Sequence, residues 1–103
     1  MKKSERFTSV TQKKHQYYFK LYVAGDEQNS QLARENLQLI CDKYLKDGYQ
    51  IEEVNVLTDF ASALKDKIFV TPSLILVAPE PQVIIIGNLS NMEGVTSALR
   101  LRI

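Results

Sequence analysis

The chain has 103 residues, 45% of them apolar and 24% charged, with a formal net charge of +1. That length and balance fit one soluble globular domain with a single core. They give no general pull toward nucleic acid or a membrane surface, and no apolar run approaches the roughly 20 residues of a bilayer span.

Residues 1–16, MKKSERFTSVTQKKHQ, are polar and rich in Lys and Arg. They read as a flexible arm, solvated on charge patterning, ahead of a domain over residues 17–103. They do not read as a secretory leader, which needs an apolar middle. Tyr17 to Val23 is aromatic and β-branched, hence a first strand, ended by Gly25. Asn29 or Ser30 is expected to cap a long helix running to about Asp47. Ala33, Leu37, Ile40, Cys41 and Tyr44 form its buried stripe, and Gly48 closes it in a left-handed conformation. Tyr49 to Leu57 is a second strand. Strand, long helix and strand at this spacing make a βαβ unit with parallel strands.

Thr58 or Asp59 caps a short helix carrying Phe60, Ala61 and Leu64. The stretch Asp66 to Val77, DKIFVTPSLILV, then enters a buried third strand, Ser73 to Ala78, through Thr71-Pro72. Proline marks the start of a strand because it cannot donate to a ladder, and the residue before it is pushed toward extended backbone. Pro79-Glu80-Pro81 is a stiff turn. Gln82 to Ile86 is a fourth strand, antiparallel to the third, and Gly87 breaks it. Ser90 and Glu93 have capping-box spacing. The last helix, from about Asn91 to Leu101, is expected to turn Met92, Val95, Ala98 and Leu99 to one side. The order βαβαββα predicts an α/β, thioredoxin-like fold with a mixed four-stranded sheet and a cis bond at Thr71-Pro72.

A redox enzyme of that fold carries its cysteines in the first strand-to-helix loop. Here the loop is Ala24-Gly25-Asp26-Glu27-Gln28-Asn29-Ser30, without a thiol. The lone Cys41 lies on the apolar stripe of the first helix, where cysteine acts as a small hydrophobe. It cannot close an internal disulfide, and the expected compartment is the cytoplasm. His15, the only histidine, sits in the arm, so neither a metal cluster nor a Ser/His/Asp set is supported. Glu52 and Glu53 are adjacent on a strand and point to opposite faces, so they cannot work as a pair. No phosphate-binding glycine motif is present. No cofactor is implied. Asp66-Lys67 reads either as a solvated loop or as a contact patch beside Pro72. Ser90 is explained by capping, whereas an exposed Leu89 would need a reason.

Taken together, Lys20 to Gly25 (KLYVAG), Asn29-Ser30, Asn36-Leu37 with Ile40, Val56-Leu57, Asp66-Lys67-Ile68, Thr71-Pro72, Pro79 with Pro81, and Ile85-Ile86-Gly87 with Leu89-Ser90 resemble the KaiB family of circadian-clock proteins. The likeness spans about Tyr17 to Leu101. It implies a non-enzymatic adaptor that binds a KaiC-type ring ATPase, with a partner surface at Asp66, Lys67, Thr71, Pro72, Asn29, Ser30 and the second strand. It also implies a choice of folds: a thioredoxin-like state that engages the ATPase, and a ground-state fold that assembles into tetramers. A monomer, dimer or tetramer is compatible with it. Two other functions fit the same architecture, a sensor module docking to a histidine kinase and a thioredoxin-like redox enzyme.

Several positions depart from the family pattern. Val83 and Ile84 stand where two arginines are frequent, Asn88 where an acid is, Glu27-Gln28 where Thr-Pro is, and Leu32 where a basic residue is. No acidic tail precedes Ile103. These mark a divergent KaiB-like chain. Ala98 and Arg100 replace the family's Gly and Asp. Ala exceeds Gly in a helix by about 1 kcal/mol, and Arg near a helix C-terminus gains some tenths of a kcal/mol from the macrodipole. Two folds of one sequence can differ by only a few kcal/mol. Ser90, Glu93, Ala98 and Arg100 are therefore expected to favour the thioredoxin-like state.

Overall fold

The computed structural model describes residues 16–101. The expected arm therefore lies outside the described residues except for Gln16. Seven elements follow in chain order: β1 (Tyr17–Val23), α1 (Gln28–Tyr44), β2 (Tyr49–Asn55), α2 (Phe60–Lys65), β3 (Ser73–Ala78), β4 (Val83–Ile86) and α3 (Met92–Ala98). They form one four-stranded sheet in the order β2-β1-β3-β4. β1 pairs with β2 in parallel, with Tyr17 opposite Tyr49 and Val23 opposite Asn55. β1–β3 and β3–β4 are antiparallel. The expected order and mixed sheet are both present, and the Thr71-Pro72 bond is cis.

Side chains alternate across a strand, so β1 splits its residues between two cores. Phe19, Leu21 and Val23 face α1 and α3 and pack with Ala33, Leu37, Ile40, Cys41, Leu74, Leu76, Leu89, Val95 and Leu99. Each fully buried Leu or Phe there stabilises the fold by about 1.5–3 kcal/mol over its exposed state. The other face presents Tyr18, Lys20 and Tyr22. There a smaller core of Tyr22, Val54, Ala63, Ile68 and Ile75 lies under α2. With six residues α2 is about 9 Å long, too short to cover four strands spaced about 4.8 Å apart. This second face is thus covered only in part.

Several local expectations are corrected. α1 is capped by Glu27, whose carboxylate accepts from the Ser30 amide at 3.0 Å, and not by Asn29 or Ser30. The helix ends at Tyr44. Lys46, at φ 53°, takes the left-handed position expected of Gly48. β2 stops at Asn55 because its side chain turns back to accept from the Leu57 amide at 3.0 Å. In α2 only Ala63 is buried, while Phe60 and Leu64 point outward.

The largest corrections fall at the C-terminal end. The cap of α3 is Asn91, accepting from the Gly94 amide at 3.1 Å, so Ser90 does not cap and no Ser90–Glu93 box forms. Glu93 does lie in the first turn, where its charge suits the helix dipole. The helix stops at Ala98, which is exposed and not on the buried face. Arg100 lies beyond it at φ 62°, so it does not act as a last-turn cation. Leu89 is buried at 3% exposure and fills the main core, so it needs no surface explanation.

Candidate functional site

Asp66 ends α2 and lies over the thinly covered sheet face. Its carboxylate accepts from the Tyr22 hydroxyl and pairs with the Lys20 ammonium at 3.1 Å. Alternation along β1 puts those two side chains on one face, two residues apart. The Tyr22 hydroxyl, aided by Lys20, holds the Asp66 carboxyl below the usual carboxylate range. Burial and the neighbouring carboxylate push the Tyr22 phenol well above its usual range. Asp66 is therefore a charged anchor, with its Oδ2 shared between the Tyr22 hydroxyl and the Lys20 ammonium. A sister contact, Tyr18 hydroxyl to Glu52, lies on the same face. Glu53 turns to the opposite face and pairs with Arg34 on α1 at 2.9 Å. The two glutamates diverge as their strand position requires.

Lys67 follows at φ 60°, its amide donating to the Leu64 carbonyl at 3.1 Å. The left-handed turn swings the Lys67 side chain into solvent and drops Ile68 into the small core. The chain then runs outward. Phe69 and Val70 are 78% and 51% exposed, as Phe60 and Leu64 of α2 are at 64% and 51%. Four large apolar side chains within residues 60–70 thus face solvent. The sequence reading singled out Asp66 and Lys67 and placed Phe60 and Leu64 on the short helix without saying which way they face. A signal was available: Phe69 and Val70 interrupt a polar approach to Pro72.

The remaining expected residues lie at the end of the sheet where α1 begins. Thr71 is half-buried and Pro72 buried; the Pro72 carbonyl accepts from Gly87 at 2.9 Å. Ser30 is fully buried, with its hydroxyl accepting from the Ala24 amide at 3.0 Å. Ser30 and Pro72 thus shape this end without offering themselves to a partner. Asn29 is exposed, and its side-chain oxygen accepts from Asn88 at 3.1 Å. Asn36 in turn donates to the Asn88 carbonyl at 2.8 Å. The six expected residues therefore divide into an Asp66–Lys67 group and an Asn29–Ser30–Thr71–Pro72 group.

Neither group carries a reactive centre. The loop where a thioredoxin holds its thiols is spanned by the Glu27 and Ser30 capping bonds. Cys41 lies 13 residues along α1 from Gln28, about 20 Å away at 1.5 Å per residue. Burial, with a smaller contribution from Asp42, pushes its thiol up to about 12. A thiol held protonated is neither nucleophile nor metal ligand. A cleft of about 370 Å³ lies beside Gly87, Asn88 and Asn91, lined without an ionisable side chain. Among the described residues no cluster of His, Cys, Asp or Glu could hold a metal ion, and no helix is long and apolar enough to cross a membrane.

These elements define a protein of the thioredoxin-like fold class, with a first strand-to-helix loop that holds capping groups and no thiol. The comparisons agree on the fold. The N-terminal domain of Synechococcus elongatus SasA superposes with a TM-score of 0.71, covering 91% of this chain and 92% of that one at 16% identity. Fasciola hepatica thioredoxin superposes at 0.67, covering 86% and 84% at 11% identity. At such identities the likeness is one of fold alone.

Sequence comparison is more specific. The family model of the KaiB domain matches residues 20–101. The circadian clock oscillator protein KaiB of Thermosynechococcus vestitus is 44% identical over 85 residues, 82% of this chain and 79% of its own length. The circadian clock protein KaiB3 of Synechocystis is 41% identical over 80 residues, 78% of each. The chain belongs to the KaiB family.

Proposed function

We propose that this protein is a non-enzymatic clock-type adaptor that docks onto a KaiC-type ring ATPase through the surface around Lys67. The observation that carries the reading is the exposure of four large apolar side chains, Phe60, Leu64, Phe69 and Val70, on the short segment that holds Lys67 and is anchored by Asp66. Family membership supports the choice of partner. Thr71 follows the same segment in the chain, and the exposed Asn29 at the α1 end would supply a second, polar contact. Burial of these apolar side chains supplies affinity, and the flanking charges set orientation and on-rate. The work is cytoplasmic, with no nucleic acid, membrane or cofactor. Ala98 and Arg100 hold the chain in the thioredoxin-like state that presents this surface, in preference to the family's tetrameric ground-state fold.

The test is binding of the full chain to the ATP-loaded KaiC-type ATPase of its own host, read by biolayer interferometry. Phe69→Ser and Lys67→Glu should each weaken binding by about tenfold or more, the order of a moderate hot spot. Leu39→Ser, on the exposed side of α1, should leave binding unchanged. Equal binding by all four proteins would remove this surface as the docking site. Binding instead to a histidine kinase would favour the sensor reading.

A further inference from the structure

β4 is the last strand of the sheet, and its outer edge has no partner strand among the described residues. The Gly87 amide donates to the Pro72 carbonyl at 2.9 Å, and the register sets Ile85 opposite Leu74 and Val83 opposite Leu76. In an antiparallel ladder, alternate residues turn their backbone groups to alternate sides. Val83, Ile85 and Gly87 therefore bond inward to β3, and the N–H and C=O groups of Ile84 and Ile86 face outward. Their side chains are 52% and 65% exposed on the thinly covered face. No charged residue occurs from Pro81 to Met92. Sheet edges that must stay single usually carry a charge, a bulge or a proline within the strand, and β4 has none of these.

We infer that this edge is an interface for a second copy of the same chain, formed by antiparallel β4–β4 pairing about a two-fold axis at Ile85. This register sets Ile84 of one copy opposite Ile86 of the other. Each copy then supplies two outward N–H donors and two outward C=O acceptors, enough for four backbone hydrogen bonds. Because opposite residues of an antiparallel pair share a face, the four isoleucine side chains meet on one side as cross-strand pairs. Val83 falls opposite Gly87 and Gln82 opposite Asn88, so no like charges collide. A slip by one residue would turn the thinly covered face of one copy toward the α1 side of the other and misalign the outward groups. The contact uses the same patch on both copies and closes at two.

The paired segment, Gln82 to Asn88, is roughly 24 Å long at about 3.4 Å per residue. So narrow a strip falls short of the roughly 1,000 Å² of a tight interface. The dimer is accordingly weak and concentration-dependent, with a Kd on the order of 0.1–1 mM. It involves neither Lys67 nor α2 and stands independently of the docking reading above.

Amide hydrogen exchange read by NMR tests this on the full chain, at about 20 µM and about 1 mM. The Ile84 and Ile86 amides should exchange about two- to fourfold more slowly at the higher concentration, as that Kd range requires. The Ile85 amide, already bonded to β3, should change little. Sedimentation should show the mass rising over the same range. Ile84→Lys should abolish both concentration effects while the circular dichroism spectrum stays unchanged. Equal protection of Ile84 and Ile86 at both concentrations would mean that the chain's own residues cover the edge, and would overturn the inference. Fast exchange at both concentrations would overturn it as well, leaving the edge unpaired.

Discussion

The Arg100 guanidinium reaches back to the β3–β4 turn, where its Nη2 donates to the Pro79 carbonyl at 3.0 Å and to the Pro81 carbonyl at 3.4 Å. The residue holding this bridge is itself left-handed, at φ 62°. Its amide donates to Ser97 at 3.1 Å and the next amide to Thr96 at 2.9 Å. Those two bonds are the usual closure of a helix by glycine, with arginine in glycine's place. Arg100 thus ties the C-terminal turn to the hairpin, a stronger role than the last-turn cation expected from sequence.

The two contributions at this position separate by substitution. Arg100→Ala keeps the left-handed cost and loses the bridge, and should destabilise the fold by roughly 1 kcal/mol. Arg100→Gly loses the bridge but relieves about 1 kcal/mol of left-handed strain, and should be close to neutral. Urea titrations of both variants check this. A glycine variant no more stable than the alanine one would show that the backbone conformation carries no cost.

Asp66 gives the fold an acid-side dependence. Its folded pKa is depressed, so its contribution is complete above the unfolded value near 3.9 and is lost as the pH falls through the folded value. Asp66→Asn should therefore cost roughly 1 kcal/mol near pH 7. It should also flatten the loss of stability below about pH 4. Lys20, raised by Asp66, has the opposite sign: its contribution is present below the ordinary lysine range and lost above it. Denaturation midpoints across the pH range test both signs. An Asp66→Asn curve parallel to the parent's would refute the assignment.

Cys41 should be inert in the folded protein. With its pKa pushed up to about 12, only about one thiol in 10⁴ is ionised at pH 8. Iodoacetamide should label it rapidly in urea and scarcely at all in buffer, as followed by mass spectrometry. Fast labelling of the native protein would reopen the redox reading.

The cap of α3 is decided by Asn91 and not by Ser90. Asn91→Ala should cost about 1 kcal/mol, the usual worth of an N-cap. Ser90→Ala should stay within about 0.5 kcal/mol, as for other surface changes. Thermal melts of the two variants separate them, and a larger loss from Ser90→Ala would restore the capping box.

The elements whose pattern is local were legible in the chain. β1, with its aromatic and β-branched run, and β3, entered through Pro72, begin and end where the sequence indicated. The stripe Ala33, Leu37, Ile40 and Cys41 is buried as its spacing required. That no thiol lies between Ala24 and Ser30 was plain before any coordinates, because a missing atom cannot be supplied by folding.

Other features were settled only by contacts across the fold. Lys46, Lys67, Leu89 and Arg100 are left-handed, though none is a residue that prefers that conformation, because tertiary packing outweighs a local cost of about 1–2 kcal/mol. Leu89, alone in a polar loop, has no periodicity to reveal that it enters the main core. Phe60 and Leu64 have helical spacing in six residues, too short a stretch to say which side faces in. Asp66 became an anchor through Tyr22 and Lys20, more than 40 positions away. The sequence alone determined which strands and helices form and that no redox pair is present. Which side of α2 meets solvent, and what holds Asp66, were decided by the tertiary structure, because burial and pairing depend on neighbours that spacing along the chain does not specify.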